Sequence, residues 1–213
     1  MASRIDIMNL ALSHIAISKK IILETDRSEE ANACGDLYNI SRDQVLADFP
    51  WPFATKFALL GLVQSSPTTE WLFSYRYPSD CLTMRRIFSG IRNDNRQSRI
   101  PYKIGQDDQG LLIYTDVENA EVEYTISTDV AVRYPDDFKM ALSFLLAFYI
   151  APRLTQGDPF GLGKRAYQLY QKTVGEAAAT SANEQQDEEQ PQSEFMRSRN
   201  DDFPGALNRF GNF

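Results

Sequence analysis

The pattern of hydrophobic and polar positions divides the chain into helical and strand-like stretches. Near the amino terminus, apolar residues recur every three or four positions, which is the spacing of one helix face. The residues on this face are Ile5, Met8, Leu12 and Ile15. Ser3 can accept hydrogen bonds from the first free backbone N–H groups, so we predict a helix from about Ser3 to Ser18.

A second helical pattern follows a short polar stretch. Asp26 and Glu29 have the spacing of a capping box, which predicts that this helix begins near Asp26. Pro50 lacks an N–H and biases its predecessor towards extended geometry, so the helix must end by Phe49. Gly35 inside this helix costs about 1 kcal/mol relative to alanine, and we interpret it as a close contact between helices.

From residue 51 to about residue 132 the period changes to two, which is typical of strands. The clearest example alternates aromatic and other side chains from Trp71 to Tyr77. Four further strand-like stretches follow at 82–88, 102–104, 111–115 and 121–126. The loop at 105–110 reads as a hairpin connection. About five or six short strands without helices between them predict an antiparallel sandwich or small barrel.

Helical patterns return after the strands. Pro135 and the two aspartates after it suit the first turn of a helix. The residues at 138–150 are apolar on nearly all faces, which predicts a buried helix that Pro152 bends or ends. A last helix is predicted from about Leu162 to Ala179.

Together these elements predict an α+β fold. It consists of an antiparallel bundle of about four helices, interrupted by an antiparallel β-sandwich or barrel insertion, with an extended C-terminal arm. The first part of the bundle is placed at 1–50, the β insertion domain at 51–132, the second part of the bundle at 133–183 and the flexible arm at 184–213.

The C-terminal arm begins with a polar, acidic run that cannot bury enough apolar surface to fold alone. Aromatic residues and arginines follow this run, and these residue types dominate the hot spots of protein interfaces. We therefore predict that the arm binds a partner. The residues assigned to this role are Phe195, Arg197, Arg199, Phe203, Arg209, Phe210 and Phe213.

The boundary between the first helices and the strands is unusual for a connecting segment. Trp51 stands between two prolines, with Phe49 and Phe53 on either side. Loops are normally polar, whereas this segment is apolar, stiff and extended, so it must be buried. We predict that Phe49, Trp51 and Phe53 form an inter-domain joint that holds the two parts at a fixed angle.

The charge of the chain argues against bulk binding of nucleic acid. The formal net charge is -7, and such binding needs a surplus of Lys and Arg. One window from Arg85 to Lys103 is nevertheless basic, with Asp94 as its only acid. Its candidate contacts to nucleic acid are Arg85, Arg86, Arg92, Arg96 and Arg99. The alternatives are a solvated β loop, or pairing with an acidic neighbouring subunit.

Few residues are suited to catalysis. His14 is the only histidine, which excludes or cripples hydrolytic triads and imidazole metal clusters, so we expect a structural histidine. Cys34 and Cys81 fit no metal or redox spacing and are interpreted as buried, reduced thiols. We predict no enzyme, no cofactor and no metal site. A two-metal nuclease, which needs several converging acids, stays an open alternative.

The chain carries no pattern that predicts secretion or a membrane span. Its first residues lack the apolar core of a signal peptide, because Asp6 interrupts them. The longest apolar stretch, at 141–151, is shorter than the roughly 20 residues that a bilayer crossing takes. We predict a soluble protein that does not engage membranes and is made in a reducing compartment.

Several short motifs resemble one protein family over about residues 5 to 155. They are Asn9 to Ile15 in the first helix, Glu30-Ala31, Cys34, Tyr38, Arg42-Asp43 and Val45-Leu46 in the second, Asp48 to Ala54 at the joint, and Tyr75 to Pro78, Asp80 to Leu82 and Tyr134-Pro135 beyond it. These motifs resemble the head-to-tail adaptor (connector) proteins of short-tailed bacteriophages, also called the tail tubular protein A family.

The resemblance implies a structural virion protein without a catalytic site, made in the host cytoplasm and located at the head–tail junction. It implies a homo-oligomeric ring of about twelve copies, joined to the portal protein and carrying the nozzle or tail tube. DNA would pass through its channel without specific binding. The alternative function is a DNA-binding packaging or regulatory protein that uses the basic window from Arg85 to Lys103.

Overall fold

The computed structural model describes residues 3–90 and 100–184 of the 213-residue chain. Within them the chain forms α-helices and two antiparallel sheets, so the predicted α+β class is confirmed. The helices are α1 (Arg4–His14), α2 (Glu29–Asp48), α3 (Asp136–Leu154) and α4 (Leu162–Glu184). The strands are β1 (Thr55–Leu59), β2 (Leu62–Ser65), β3 (Phe73–Arg76), β4 (Cys81–Ile87), β5 (Lys103–Asp107), β6 (Gly110–Thr115) and β7 (Glu121–Ile126). The predicted arm beyond Glu184 lies outside the described residues.

Side-chain caps set where the first two helices begin. The Ser3 hydroxyl accepts a hydrogen bond from the Asp6 N–H, and the Asp6 carboxylate accepts one from the Ser3 N–H, so α1 has the predicted N-cap. The second helix begins at Glu29 and not near Asp26, because Ser28 is its N-cap. Asp26 instead closes a preceding turn by accepting two earlier backbone N–H groups.

The ends of the helices follow from backbone geometry. The first helix ends at His14 rather than at Ser18, because Ala16 has a φ of 60° in the left-handed region, where a right-handed helix cannot continue. The third helix starts at Asp136, so Pro135 is its N-cap and does not lie in the first turn as predicted, whereas Asp136 and Asp137 do. Pro152 lies in its last turn, so the helix ends shortly after the proline.

The third helix is the centre of the bundle and packs against each of the other three helices. Its apolar residues are buried nearly all round, as its sequence predicts. The fourth helix approaches it closely at Gly163, where an added Cβ would lie 2.7 Å from the Ala151 Cβ. At Gly35 an added Cβ would meet nothing within 4 Å, so the prediction of a close helix contact there is wrong.

The strands form a three-stranded sheet A, in the order β1-β7-β4, and a four-stranded sheet B, in the order β2-β3-β6-β5. Residues of both sheets share one apolar core. Its buried members are Leu60, Tyr75, Met84, Ile87, Ile113, Ala120, Val122 and Tyr124. The strands β1 and β2 were not predicted, because both lie at sheet edges and are mostly exposed, which weakens the alternation of apolar and polar residues.

The hairpin between β5 and β6 is tighter than the predicted loop at 105–110. The fifth strand continues to Asp107 and pairs there with Gly110, so the turn contains only Asp108 and Gln109. Arg76 of β3 braces this turn, because its Nη1 and Nη2 donate to the two Asp107 carboxylate oxygens at 2.8 and 2.9 Å. The Asp107 carboxylate therefore has a structural partner.

Candidate functional site at the junction of bundle and sandwich

The chain crosses from the helical bundle into the sandwich directly after α2. Pro50 cannot continue the helix, and Phe49 and Trp51 both take extended backbone angles. Pro52 then starts a single turn of 3-10 helix that leads into β1. The two prolines therefore set the path of the joint.

Trp51 is the buried centre of this joint and is only 3% exposed. Its indole Nε1 donates to the Val45 carbonyl at 2.8 Å, which holds the ring against the last turns of α2. The ring lies edge-on to Phe49 and to Phe138 of α3, at centroid distances of 5.0 and 5.1 Å. Phe53 contacts the same Phe138 ring at 5.0 Å. The structure therefore brings the three predicted joint residues together at the start of α3.

Arg85 of β4 reaches from the sandwich to the end of α2. Its Nη2 donates to the carbonyls of Leu46, Ala47 and Phe49 at 2.9, 2.9 and 3.1 Å. Its Nε donates to Thr125 Oγ1 at 2.8 Å. The last carbonyls of a helix have no intrahelical partner and lie at the negative end of the helix dipole, so a cation stabilises them. Arg85 therefore caps α2 from the other part of the molecule.

The surroundings of Arg85 differ from those of an exposed DNA-binding arginine. Burial lowers the pKa of the Arg85 guanidinium, and the negative charges of Glu123 and Asp48 partly offset this effect. The acceptors that the guanidinium contacts are carbonyl and hydroxyl oxygens. Arg85 was predicted to contact nucleic acid, but its hydrogen bonds within the chain instead join the sandwich to the end of α2.

The chain returns from the sandwich to the bundle after β7, and Arg42 of α2 holds this second crossing. Arg42 is 8% exposed, and its guanidinium lies 2.9 Å from carboxylate oxygens of both Asp43 and Asp129. It also donates to Ser127 Oγ at 3.3 Å. Burial alone lowers the pKa of Arg42, but the two carboxylates outweigh burial and raise it. Both crossings of the chain are thus tied to the same helix.

A buried aromatic group lies behind the Arg42 cluster. Tyr38 is fully buried, and the Arg4 guanidinium lies over its ring at 4.5 Å from the centroid. Burial, reinforced by the negative charge of Asp129, raises the pKa of Tyr38 to about 12. Tyr134, just before α3, donates its hydroxyl to the Thr128 carbonyl at 2.7 Å. The Tyr134 hydrogen bond lies within the segment that returns from β7 to α3 and holds its two ends together.

Apolar packing also joins the two parts. Leu82 of β4 packs against the helical core, and Ile126 of β7 packs against both the helical core and the sandwich core. The junction therefore combines two chain crossings, two arginine clamps and a shared apolar residue. This arrangement is suited to a mechanical task, because it holds the sheets in one orientation relative to the helices.

Of the other candidate nucleic-acid contacts in the basic window, only Arg86 lies among the described residues. Arg86 is exposed, forms an ion pair with Glu123 and lies over the Phe88 ring at 4.8 Å from the centroid. Its two intramolecular partners support the alternative of a solvated β surface. The candidate nucleic-acid contacts Arg92, Arg96 and Arg99 lie outside the described residues. The partner-binding residues Phe195, Arg197, Arg199, Phe203, Arg209, Phe210 and Phe213 lie outside them as well.

The three residues with potential catalytic chemistry have structural surroundings. His14 stacks on Phe144 with ring centroids 4.3 Å apart, its Nε2 lies 3.1 Å from Ser143 Oγ, and burial lowers its pKa. Cys34 is buried as predicted, and burial raises its pKa to about 12. Cys81 is only half-buried, which corrects the prediction of two buried thiols, and burial also raises its pKa. Both thiols therefore stay protonated at neutral pH.

An open groove of about 610 Å³ lies at one end of the sandwich. Its wall includes Tyr77, Pro78 and Cys81, and its cation is Arg76. Because Arg76 is held by both carboxylate oxygens of Asp107, the groove offers an anion little free positive charge. We assign it no ligand.

Residues 3–90 and 100–184 contain no group of three or more histidine, cysteine or acidic residues placed to hold a metal ion. Over the same residues, no helix has both the length and the apolarity that crossing a membrane requires.

In comparisons with known proteins, no protein-family model and no curated protein matches the chain. The resemblance to phage adaptors therefore rests on the short motifs given above. Several of these motifs lie at the junction, where Arg42 and Asp43 form one clamp and the segment from Asp48 to Ala54 forms the joint.

Proposed function

We propose that the chain is a structural adaptor at the head–tail junction of a short-tailed bacteriophage, made in the host cytoplasm. About twelve copies form a ring that binds the portal protein on one side and the tail nozzle or tail tube on the other. The ring extends the channel through which DNA passes without specific binding. In this proposal the protein has no catalytic activity and needs no cofactor.

The observation that carries this proposal is the clamped junction. In a closed ring, each subunit must present its two contact surfaces at the same angle, because a small error would recur at every interface. Arg85 and Arg42 tie the sandwich to α2 at both crossings, and Trp51 fills the space between α2 and α3. A subunit with these contacts is suited to a ring that must stay aligned with its neighbours above and below.

The C-terminal arm is proposed to bind the portal. Its aromatic residues and arginines are the types that form interface hot spots, and it begins where α4 ends at Glu184. Deletion of all residues after Asn183 should therefore leave the described fold intact and abolish binding to the portal. Far-ultraviolet circular dichroism would check the fold, and co-sedimentation with portal rings would check binding.

A matched variant separates the arm's anchors from its length. Replacing the acidic spacer at 184–190 by glycine and serine of equal length should preserve portal binding, whereas alanine at Phe203, Phe210 and Phe213 should abolish it. Portal binding that survives loss of all three phenylalanines would refute the assignment of the arm.

The alternative is a DNA-binding packaging or regulatory protein. One of its candidate DNA contacts, Arg85, already donates to backbone carbonyls of α2 within the molecule. The alternative is tested by a gel retardation assay with random duplex DNA over a range of salt concentrations. Binding that weakens with salt and disappears on replacement of Arg92, Arg96 and Arg99 would favour the alternative. Replacement of Arg153, which pairs with Asp36 on the helical surface, is the matched control.

A further inference from the structure

Both outer strands of sheet B leave one edge without a strand partner in the described part of the chain. All four residues of β2 are exposed, and none of them is charged. Three of the five residues of β5 are exposed as well. The strand β2 carries no charge and no proline, so its outward N–H and C=O groups can form ladder hydrogen bonds with a further strand. The strand β5 carries a charge at each end, Lys103 and Asp107, and Asp107 is paired with Arg76.

The directions of the strands make the two edges complementary to each other. Each neighbouring pair in sheet B is antiparallel, and the sheet has four strands, so its first strand, β2, runs opposite to its last strand, β5. A second copy placed beside the first in the same orientation would therefore present β2 to β5 as an antiparallel pair. Sheet A has three strands, so the same operation would pair β1 and β4 in parallel, which is slightly less stable per residue.

The side chains at the two edges are also complementary. One row of paired residues crosses the whole sheet, from Leu62 through Tyr75 and Ile113 to Ile104. The inner two residues are buried, whereas Leu62 is 55% and Ile104 is 45% exposed at the opposite edges. In a sheet continued from copy to copy, Ile104 would lie next to Leu62 of the following copy, and both would lose exposed apolar surface.

Charge supports the same orientation. Lys103 starts β5 at the end of the sheet where β2 finishes with Ser65 and where the β2–β3 connection carries Glu70. Neither Lys103 nor Glu70 forms an ion pair within the described residues. A following copy would bring its Glu70 to the end of the sheet where Lys103 begins, so opposite charges would meet there.

We propose that β2 of one copy pairs with β5 of the next copy and continues sheet B from subunit to subunit. The contact is heterologous, because each copy uses a different edge towards each neighbour. It deepens the proposed function by naming the surface through which copies join, and it rests on that function only for the closure of the contacts into a ring.

Disulfide trapping between two variants, each with one cysteine added to Cys34 and Cys81, tests this pairing. Opposed residues in antiparallel strands have Cα atoms about 4.5–5.5 Å apart, within the range of about 4.4–6.8 Å that a disulfide spans. Leu62→Cys and Ile104→Cys lie at exposed edge positions, so the fold should tolerate both. The full-length variants are oxidised separately and as an equimolar mixture, with the parent chain as the control for Cys34 and Cys81.

The proposal predicts a disulfide-linked dimer in the mixture and none with either variant alone, and a ladder of larger species from the chain that carries both substitutions. A dimer of Leu62→Cys alone would show a two-fold contact between β2 strands and overturn the proposal. Absence of any dimer beyond that of the parent chain would overturn it too.

Native mass measured on the same samples separates this proposal from the ring itself. If the parent chain forms oligomers but no disulfide forms between cysteines at positions 62 and 104, the edge contact is refuted and the ring proposal stands. Trapping that yields only open chains of variable length would support the edge contact and refute the closed ring.

Discussion

Replacement of Arg85 by methionine removes the clamp between the sandwich and α2 while keeping an apolar stem of similar length. The substitution leaves the carbonyls of Leu46, Ala47 and Phe49 without their shared donor and removes the Nε partner of the buried Thr125 hydroxyl. Because one nitrogen serves all three carbonyls, these contacts count as one or two charge-assisted hydrogen bonds rather than three.

The expected cost follows from these contacts. A hydrogen bond to a charged group contributes about 1.5–3 kcal/mol, and a cation at a helix C-terminus contributes up to about 2 kcal/mol in a partly buried site. The burial that lowers the pKa of Arg85 opposes these gains. The free energy of unfolding should therefore fall by about 2–4 kcal/mol, out of a total of about 5–15 kcal/mol for an ordinary domain.

Arg86→Met is the matched control. Arg86 is the next residue on the same strand and has the same charge, but its ion pair with Glu123 is at the surface, where the arginine side chain is 63% exposed. Exposed ion pairs contribute about 0–1 kcal/mol. Equilibrium unfolding in urea, followed by circular dichroism and tryptophan fluorescence, would measure both variants. If Arg85→Met costs no more than Arg86→Met, the clamp does not stabilise the junction and the reasoning is wrong.

Three further predictions test other parts of the account. Gly163→Ala should destabilise the protein by about 1–3 kcal/mol, because the added methyl group overpacks against Ala151. Gly175→Ala on the same helix is the control: its methyl group would meet nothing within 4 Å and should stabilise the protein by up to about 1 kcal/mol. Urea unfolding would measure both variants. Burial lowers the pKa of His14, so the unfolded chain binds a proton at His14 more readily than the folded chain as the pH falls below 6.5. The free energy of unfolding of the parent chain should therefore fall below pH 6.5, and that of His14→Gln should not. Equal dependence of unfolding free energy on pH in the two chains would contradict this prediction. Trp51→Ala should cost about 3–5 kcal/mol and impair ring assembly, and normal rings visible by electron microscopy would refute its role in the joint.

The sequence could predict those features of the fold that a residue determines through residues close to it in the chain. Ser3 caps α1 and Pro135 precedes α3, because both act within one helical turn. The burial of Trp51 followed from the two prolines beside it, since they make the segment stiff and its composition makes it apolar. These effects depend on sequence spacing alone.

The role of Arg85 could not be predicted in this way. Its acceptors lie at the end of α2, far from it in the sequence, and a backbone carbonyl leaves no signature in the residue type that carries it. The prediction of a close helix contact at Gly35 was wrong for the same reason. Gly35 and Gly163 both lie in helices, but only the packing shows that Gly163 faces a neighbouring helix and Gly35 does not. Long-range packing decides both cases.

The measurement that tests the proposed adaptor role most directly is the native mass of the full-length protein, alone and mixed with the portal ring that the proposal assigns to it. The account predicts that portal rings bind about twelve copies of the 24.2 kDa chain as one closed layer, by analytical ultracentrifugation and native mass spectrometry. A chain that stays at 24.2 kDa and never sediments with the portal would contradict the account.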